Sequence, residues 1–411
     1  MQGTHIPQGP DRRRTGRDGP AVLLCRPDHL GDVVLTLPAA MFLRALLPDA
    51  RLTYVVHSSL APLTQRCPAV DDTIGLPFAG PQAPELTQDV WHAARPHLSK
   101  LRDHDAALLL RPDDPVSGEL TRRAGVPARI GFPQPGTAPH LTLAVTEPRE
   151  HVAALGFHLV RALLAEVGGA YPSGWEPPTA LPEILRERER LGPALRTMEE
   201  DEARAQELLD DVAGEAGPAP VVMHPGTGWR LKSWSAASWA ELGRRIFSRF
   251  GIKPLITGTA GEEGLVAGIA GRSPRCCLPV AGRLSLGAFA ALLRRSCLLV
   301  ALDSGPLHLA ALLGTPVAGL YGPESAERAG PLAPPGQVRT LGVFLRCRPC
   351  GRMTDPPCGA ATEPDCLTGI PVDAVWEAVE ALLPGFFRDR SERPYTDSPD
   401  DEGGSREGMK E

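Results

Sequence analysis

The six residues Asp303-Ser304-Gly305-Pro306-Leu307-His308 set a carboxylate, a hydroxyl and an imidazole around a Gly-Pro pair. The apolar run 297–302 before them predicts a buried strand, and 309–313 after them predicts a helix ended by Gly314-Thr315-Pro316. Another apolar run, 317–321, completes a strand, loop, helix, strand unit. In such a unit the loop lies at the carboxyl end of a parallel strand, and the next helix offers backbone N–H groups with no partner inside the helix. A phosphate suits that place. Ser304 can cap the helix, Pro306 fits its first turn, and Gly305 lets a ligand come close to the backbone. A capped helix without a ligand would explain Ser-Gly-Pro alone. It leaves Asp303 and His308 without a purpose.

Two more loops repeat this arrangement. His224-Pro225-Gly226-Thr227-Gly228 follows the strand candidate 221–223, and Lys232-Ser233-Trp234 precedes a helix candidate at 236–250. Thr227, the backbone at Gly228 and the charge of Lys232 together suit an anion. An ordinary flexible loop is the plainer reading, but lysine occurs only four times in 411 residues, which argues against an incidental Lys232. Thr257-Gly258-Thr259-Ala260-Gly261-Glu262 follows a strand candidate at 253–257 and opens a helix at 262–269. Glu262 there can accept hydroxyls of a ribose, or simply complement the helix dipole.

These loops need a scaffold of alternating strands and helices. A strand at 22–25 leads through the turn-like 26–32 into an apolar helix ending near Leu47; strands at 52–56, 106–110 and 129–132 follow, with a helix at 151–167. A Pro-rich stretch and a charged helical segment, 199–212, separate this half from one that restarts at 221 and includes a helix at 286–295. The pattern predicts an α/β chain of two doubly wound domains, with a cleft between the carboxyl ends of their parallel strands. Apolar residues make up 42% of the chain, enough for two cores, and a net charge of -6 gives no basic footprint for nucleic acid. Residues 1–20 lack the apolar core of a secretory signal, and no apolar run is long enough to span a bilayer, so a cytoplasmic location is expected.

In order along the chain, Leu30-Gly31-Asp32, His224-Pro225-Gly226 with Lys232-Ser233-Trp234, Gly258 with Glu262, and Asp303 to His308 with Tyr321-Gly322-Pro323 resemble glycosyltransferase family 9, which includes the lipopolysaccharide heptosyltransferases. The resemblance runs from about 21 to 383 and implies the GT-B fold, two Rossmann-like domains facing a central cleft. On that pattern, 21–200 is the acceptor-side domain, 218–345 binds the nucleotide sugar, 346–370 is a Cys-rich loop, and 371–388 is a helix packing back on the first domain. Residues 1–20 and 389–411 are expected to be disordered. The resemblance also implies inverting transfer of a sugar, such as heptose from an ADP-linked donor, onto a saccharide or lipid-linked saccharide in peripheral contact with the inner membrane face. Asp32 matches the family's general base, although the position equally suits a helix N-cap. Lys232 is implied in catalysis, and Thr227, Gly228, Lys232, Glu262, Asp303, Ser304, Gly305 and His308 in donor binding. No metal is implied in the chemistry. The rival readings are a sugar-nucleotide epimerase or hydrolase on the same fold, and a catalytically silent nucleotide-sugar or glycan-binding protein.

The chain departs from the family at Pro27-Asp28-His29, where small hydroxyl residues are usual. Asp28 and His29 thereby join the acceptor side, and Asp28 is a second candidate for the base. Arg111-Pro112-Asp113-Asp114 also departs, which bears on acceptor identity. Cys347, Cys350, Cys358 and Cys366 form a C-x₂-C-x₇-C-x₇-C array able to close a structural zinc site or hold an iron–sulfur cluster. The spacing fits no standard zinc ribbon, and reduced or locally paired cysteines are the simpler expectation. The other five cysteines lie in or beside apolar runs and read as core residues.

Overall fold

A computed structural model describes residues 19–78, 86–167, 178, 180–212 and 219–383. The tail expected at 389–411 and nearly all of the expected N-terminal segment lie outside that range. Twelve strands form two sheets of six, every pair parallel. The first holds β1 (Ala21–Arg26), β2 (Arg51–His57), β3 (Asp72–Leu76), β4 (Ala106–Leu109), β5 (Ala128–Gly131) and β6 (Leu143–Ala144), in the order β3-β2-β1-β4-β5-β6. The second holds β7 (Val221–His224), β8 (Leu255–Ile256), β9 (Leu278–Pro279), β10 (Leu298–Leu302), β11 (Val317–Leu320) and β12 (Val338–Leu341), in the order β12-β11-β10-β7-β8-β9. Each sheet thus has the 3-2-1-4-5-6 order of a dinucleotide-binding fold, whose crevice opens where the winding reverses. That point falls between β1 and β4 in the first sheet and between β7 and β10 in the second.

The central strands were legible because burial on both faces demands unbroken apolar runs: all six residues of β1 and all five of β10 are buried. The edges were not. β3, β9 and β12 carry Asp, Thr, Pro or Arg, and β6 is only the pair Leu143–Ala144, so none presents an unbroken apolar run. The strand expected at 253–257 shrinks to Leu255–Ile256, consistent with a missing backbone donor at Pro254. The helix expected at 309–313 begins four residues earlier, at Gly305, and ends on the left-handed Gly314.

Helices α1 (Leu30–Leu46), α2 (Pro115–Ala124), α3 (Val152–Val167), α4 (Leu181–Leu191) and α5 (Glu199–Asp211) precede β7. α6 (Ala236–Phe250), α7 (Glu263–Ala270), α8 (Leu286–Arg295), α9 (Gly305–Leu313) and α10 (Val372–Leu382) follow it. The expectation that the final helix returns to the first domain is corrected over the described residues. α10 packs on α6, β11 and β12, and its Val375, Val379 and Leu382 share a core with Val221, Trp239 and Leu320 of the second domain. Its apolar face covers the flank of the second sheet, which would otherwise lie open.

The domains are joined elsewhere. α5 lies along α8, and its Asp201 takes a two-pronged bond from Arg66 at 2.6 and 2.8 Å. Arg188 of α4 reaches into the second domain to donate to the carbonyls of Leu332 and Leu312. His151, just before α3, meets the carbonyl oxygen of Gly330 at 3.0 Å through Nε2. Burial pushes the imidazoles of His151 and His224 down to about 4. Each therefore stays neutral in the fold but takes up a proton in the unfolded chain, so stability present above pH 6.5 is lost as the pH falls toward 4. The thermal midpoint should drop across that window, and His151→Asn should flatten the drop. Equal slopes for variant and wild type would place the effect elsewhere.

Candidate active site

On the first sheet, β1 delivers Arg26 to the crevice. This arginine is 8% exposed and engages three groups. Nη1 donates to the carbonyl of Leu110, just past β4, at 2.6 Å; Nη2 donates to Oδ1 of Asp32 at 2.8 Å; and Nε lies 2.8 Å from Oδ1 of Asp28. The last contact is a close ion pair set off the line of a hydrogen bond. Nε of Arg111 approaches the other oxygen of Asp28 at 3.8 Å. The two carboxylates are thereby told apart. Asp28 is 7% exposed and wedged between two arginines, whereas Asp32 is 36% exposed. Burial raises the Asp28 carboxyl above its usual range, with the charge of Asp32 adding to the effect and the arginines opposing it. Asp28 is better placed as a counter-ion than as a base.

The N-cap reading of Asp32 fails as well. α1 starts at Leu30, so Asp32 lies inside its first turn, and the N-cap position belongs to His29, which makes no capping bond. Asp113 and Asp114 are used structurally. Asp114 caps α2 by accepting from the Ser117 amide at 2.9 Å, and Asp113 accepts from the Gly136 amide and the Thr137 hydroxyl. Of the departing segment, Arg111 is the residue that reaches the crevice.

On the second sheet, β10 delivers Asp303 and the loop after β7 delivers Lys232. Their side chains meet at 2.6 Å and are largely buried. Nε2 of His308 lies 3.7 Å from the other oxygen of Asp303, and its Nδ1 is buried without a partner. Burial alone would raise the Asp303 carboxyl, but the adjacent imidazole and ammonium hold it below its usual range. Ser304 stands at the N-cap position of α9, yet the expected capping bond is absent: its hydroxyl donates back to the carbonyl of Leu302 at 3.1 Å. The first-turn amides of α9 are therefore not capped by Ser304. Thr227 accepts from the Trp229 amide at 3.3 Å, which shapes the loop through Gly228. Glu262 accepts from both the amide and the hydroxyl of Thr259, a helix-start cap, and its Oε1 lies against Gly226. That geometry accounts for Glu262 locally, beside its expected ribose contact.

The two half-sites face one another through their helix starts. A Cβ on Gly31 would lie 2.9 Å from Cδ2 of His308, and one on Gly305 would lie 2.6 Å from Cβ of Leu30. Glycine at both positions lets α1 and α9 abut. His29 and Trp229 meet edge-on across the same junction, ring centres 5.8 Å apart. Glu324, past β11, completes the site: burial raises its carboxyl, and it feels the charges of Lys232, Asp303 and Asp32. Sequence reasoning missed Arg26, Trp229 and Glu324. Arg26 had a usable signal, since a charged residue ending an otherwise apolar central strand needs a partner.

The Cys-rich loop stands behind this site. Arg348 donates to the carbonyl of Gly322 at 2.9 Å, and the Sγ of Cys366 lies beside Gly322. Burial and the nearby Cys350 and Cys358 thiols push Cys366 up to about 11. All nine cysteines are free, and among the described residues no three His, Cys, Asp or Glu side chains converge to hold a metal ion.

Residues 97–358, more than half the chain, match the family described as glycosyltransferase family 9 (heptosyltransferase). The chain belongs to this family. It is 29% identical over 343 residues to lipopolysaccharide heptosyltransferase 1 of Pseudomonas aeruginosa, covering 81% of this chain and 86% of that protein. Its fold is similar to the E. coli ADP-heptose lipopolysaccharide heptosyltransferase II, with a TM-score of 0.65 at 19% identity over 88% of this chain and 98% of the other. It is also similar to the iron-containing dodecameric glycosyltransferase TibC from enterotoxigenic E. coli, with a TM-score of 0.52 at 14% identity over 89% and 76% of the two chains. As a member of glycosyltransferase family 9 the protein is a glycosyltransferase of GT-B architecture. No helix among its described residues is long and apolar enough to cross a membrane.

Proposed function

We propose that the protein is an inverting heptosyltransferase that moves heptose from an ADP-linked donor onto a saccharide hydroxyl of a lipopolysaccharide core. The observation that carries this reading is the opposition of a held but open carboxylate, Asp32, to the buried Lys232–Asp303–His308 cluster across the α1–α9 junction. The acceptor oxygen forms a bond to C1 of the sugar as the bond from C1 to the diphosphate breaks. The electron pair leaves with ADP, and Asp32 takes the hydroxyl proton. Lys232 gives one of its three donors to Asp303 and keeps the others for diphosphate oxygens, while the first-turn amides of α9 supply partial positive charge. Thr227 and the backbone at Gly228 add to the diphosphate contacts, and Glu262 faces the ribose of the donor.

With the leaving group neutralised by protein donors, the chemistry needs no metal. Heptose transfer from ADP-heptose to heptose-free lipopolysaccharide should persist in excess EDTA. Loss of activity that magnesium restores would reject this. The same assay tests the function itself: nuclear magnetic resonance should show heptose joined to the acceptor with inverted anomeric configuration. An ADP-heptose turnover that ignores the acceptor would instead identify a hydrolase or epimerase.

A further inference from the structure

The arginine that closes β1 is tied to three groups around the crevice, and nothing in the proposed chemistry yet uses it. Its guanidinium is fixed at two points that do not react, the Leu110 carbonyl at 2.6 Å and the Asp28 carboxylate at 2.8 Å. The third goes to Oδ1 of Asp32. Among the described residues that carboxylate makes no other hydrogen bond or ion pair, so Oδ2 is left open on a side chain 36% exposed. A half-exposed carboxylate with two free torsions would otherwise sample several rotamers. A planar fork of donors, anchored from below, restricts it to one. The anchors also come from the right places: Leu110 follows β4, Arg26 ends β1, and these neighbouring strands flank the point where the first sheet reverses its winding.

We propose that Arg26 is the positioning residue of the transfer: it holds Oδ1 of Asp32 so that Oδ2 takes the acceptor proton, while Asp28 serves as its fixed counter-ion. This rests on the reading of Asp32 as the base. It also explains why the chain carries a second acid beside that base. One buried arginine facing a single carboxylate would be drawn wholly onto it, whereas Asp28, closed off by Arg26 and Arg111, fixes the guanidinium independently of the reacting group. No proton passes through Arg26 or Asp28.

The test uses ADP-heptose, heptose-free lipopolysaccharide and four variants of the full chain. Arg26→Met/Asp28→Asn removes the buried pair together, so that no buried charge is stranded. It should unfold cooperatively and bind ADP-heptose within about twofold of wild type, while kcat falls about 10- to 100-fold through misplacement of the base. Arg26→Lys, which keeps the charge but loses the fork, should recover part of that loss. Asp28→Asn alone should stay within about tenfold of wild type, since general-base loss would cost ~10²–10⁴. A folded double variant with wild-type kcat would overturn the proposal, as would a silent Asp28→Asn. If the double variant does not fold, Arg26→Lys decides: lowered kcat with unchanged donor affinity supports the role, and wild-type kcat rejects it. Asp32→Asn is run in parallel. If it is fully active, the base assignment itself has failed; if it is silent while the double variant is normal, only the role of Arg26 has.

Discussion

Lys232→Met should weaken ADP-heptose binding by about 10- to 100-fold, the loss of one or two charge-assisted hydrogen bonds at ~1.5–3 kcal/mol each set against the water that replaces them. Turnover should fall further, by ~10²–10³, because the charge on the leaving diphosphate grows as the C1 bond breaks and the lysine meets it only then in full. The same substitution strips Asp303 of its 2.6 Å partner in a buried site, which commonly costs about 3–5 kcal/mol of stability. Stability and catalysis must therefore be separated. Lys232→Met/Asp303→Asn removes both charges, and its thermal midpoint should lie closer to wild type than that of the single variant, with turnover still low. Isothermal titration and thermal unfolding of the two variants check this. Full activity in the folded double variant would remove Lys232 from the chemistry.

Asp32→Asn is expected to have the sharper effect. The amide is nearly isosteric and can still accept from Nη2 of Arg26, so the start of α1 should remain in place. What disappears is the capacity to take a proton, typically worth ~10²–10⁴ in rate. The donor contacts proposed above lie on the other domain, and on that reading the affinity for ADP-heptose should be unchanged. The variant thus separates a base from a structural acid more cleanly than alanine would.

Much of this site could be read from the chain because parallel central strands are buried on both faces. Such strands announce themselves as apolar runs, and the loops at their carboxyl ends, including Asp303 to His308 and Lys232, fall where ligands bind. What stayed hidden depends on the pairing of distant residues. Asp28 and Asp32 are equally acidic in sequence; only the packing of Arg26 and Arg111 around Asp28 shows which is closed off. Ser304 has the residue type of a cap but turns its hydroxyl toward Leu302 instead. Glu324 follows a strand end like the others, yet its nearness to Lys232, Asp303 and Asp32 arises from β11 lying next to β10 and from the domains meeting. The placement of the final helix came from the resemblance alone; over the described residues, the packing of its Val375, Val379 and Leu382 against the second domain could not be read from the chain.

The central claim is that Asp32 removes the acceptor proton in a site whose donor half is built independently on the second domain. It is tested most directly by measuring, on one preparation of Asp32→Asn, both the dissociation constant for ADP-heptose and single-turnover heptose transfer to heptose-free lipopolysaccharide. The account predicts a dissociation constant within about twofold of wild type and transfer slowed at least ~10²-fold. Transfer within threefold of wild type would contradict it.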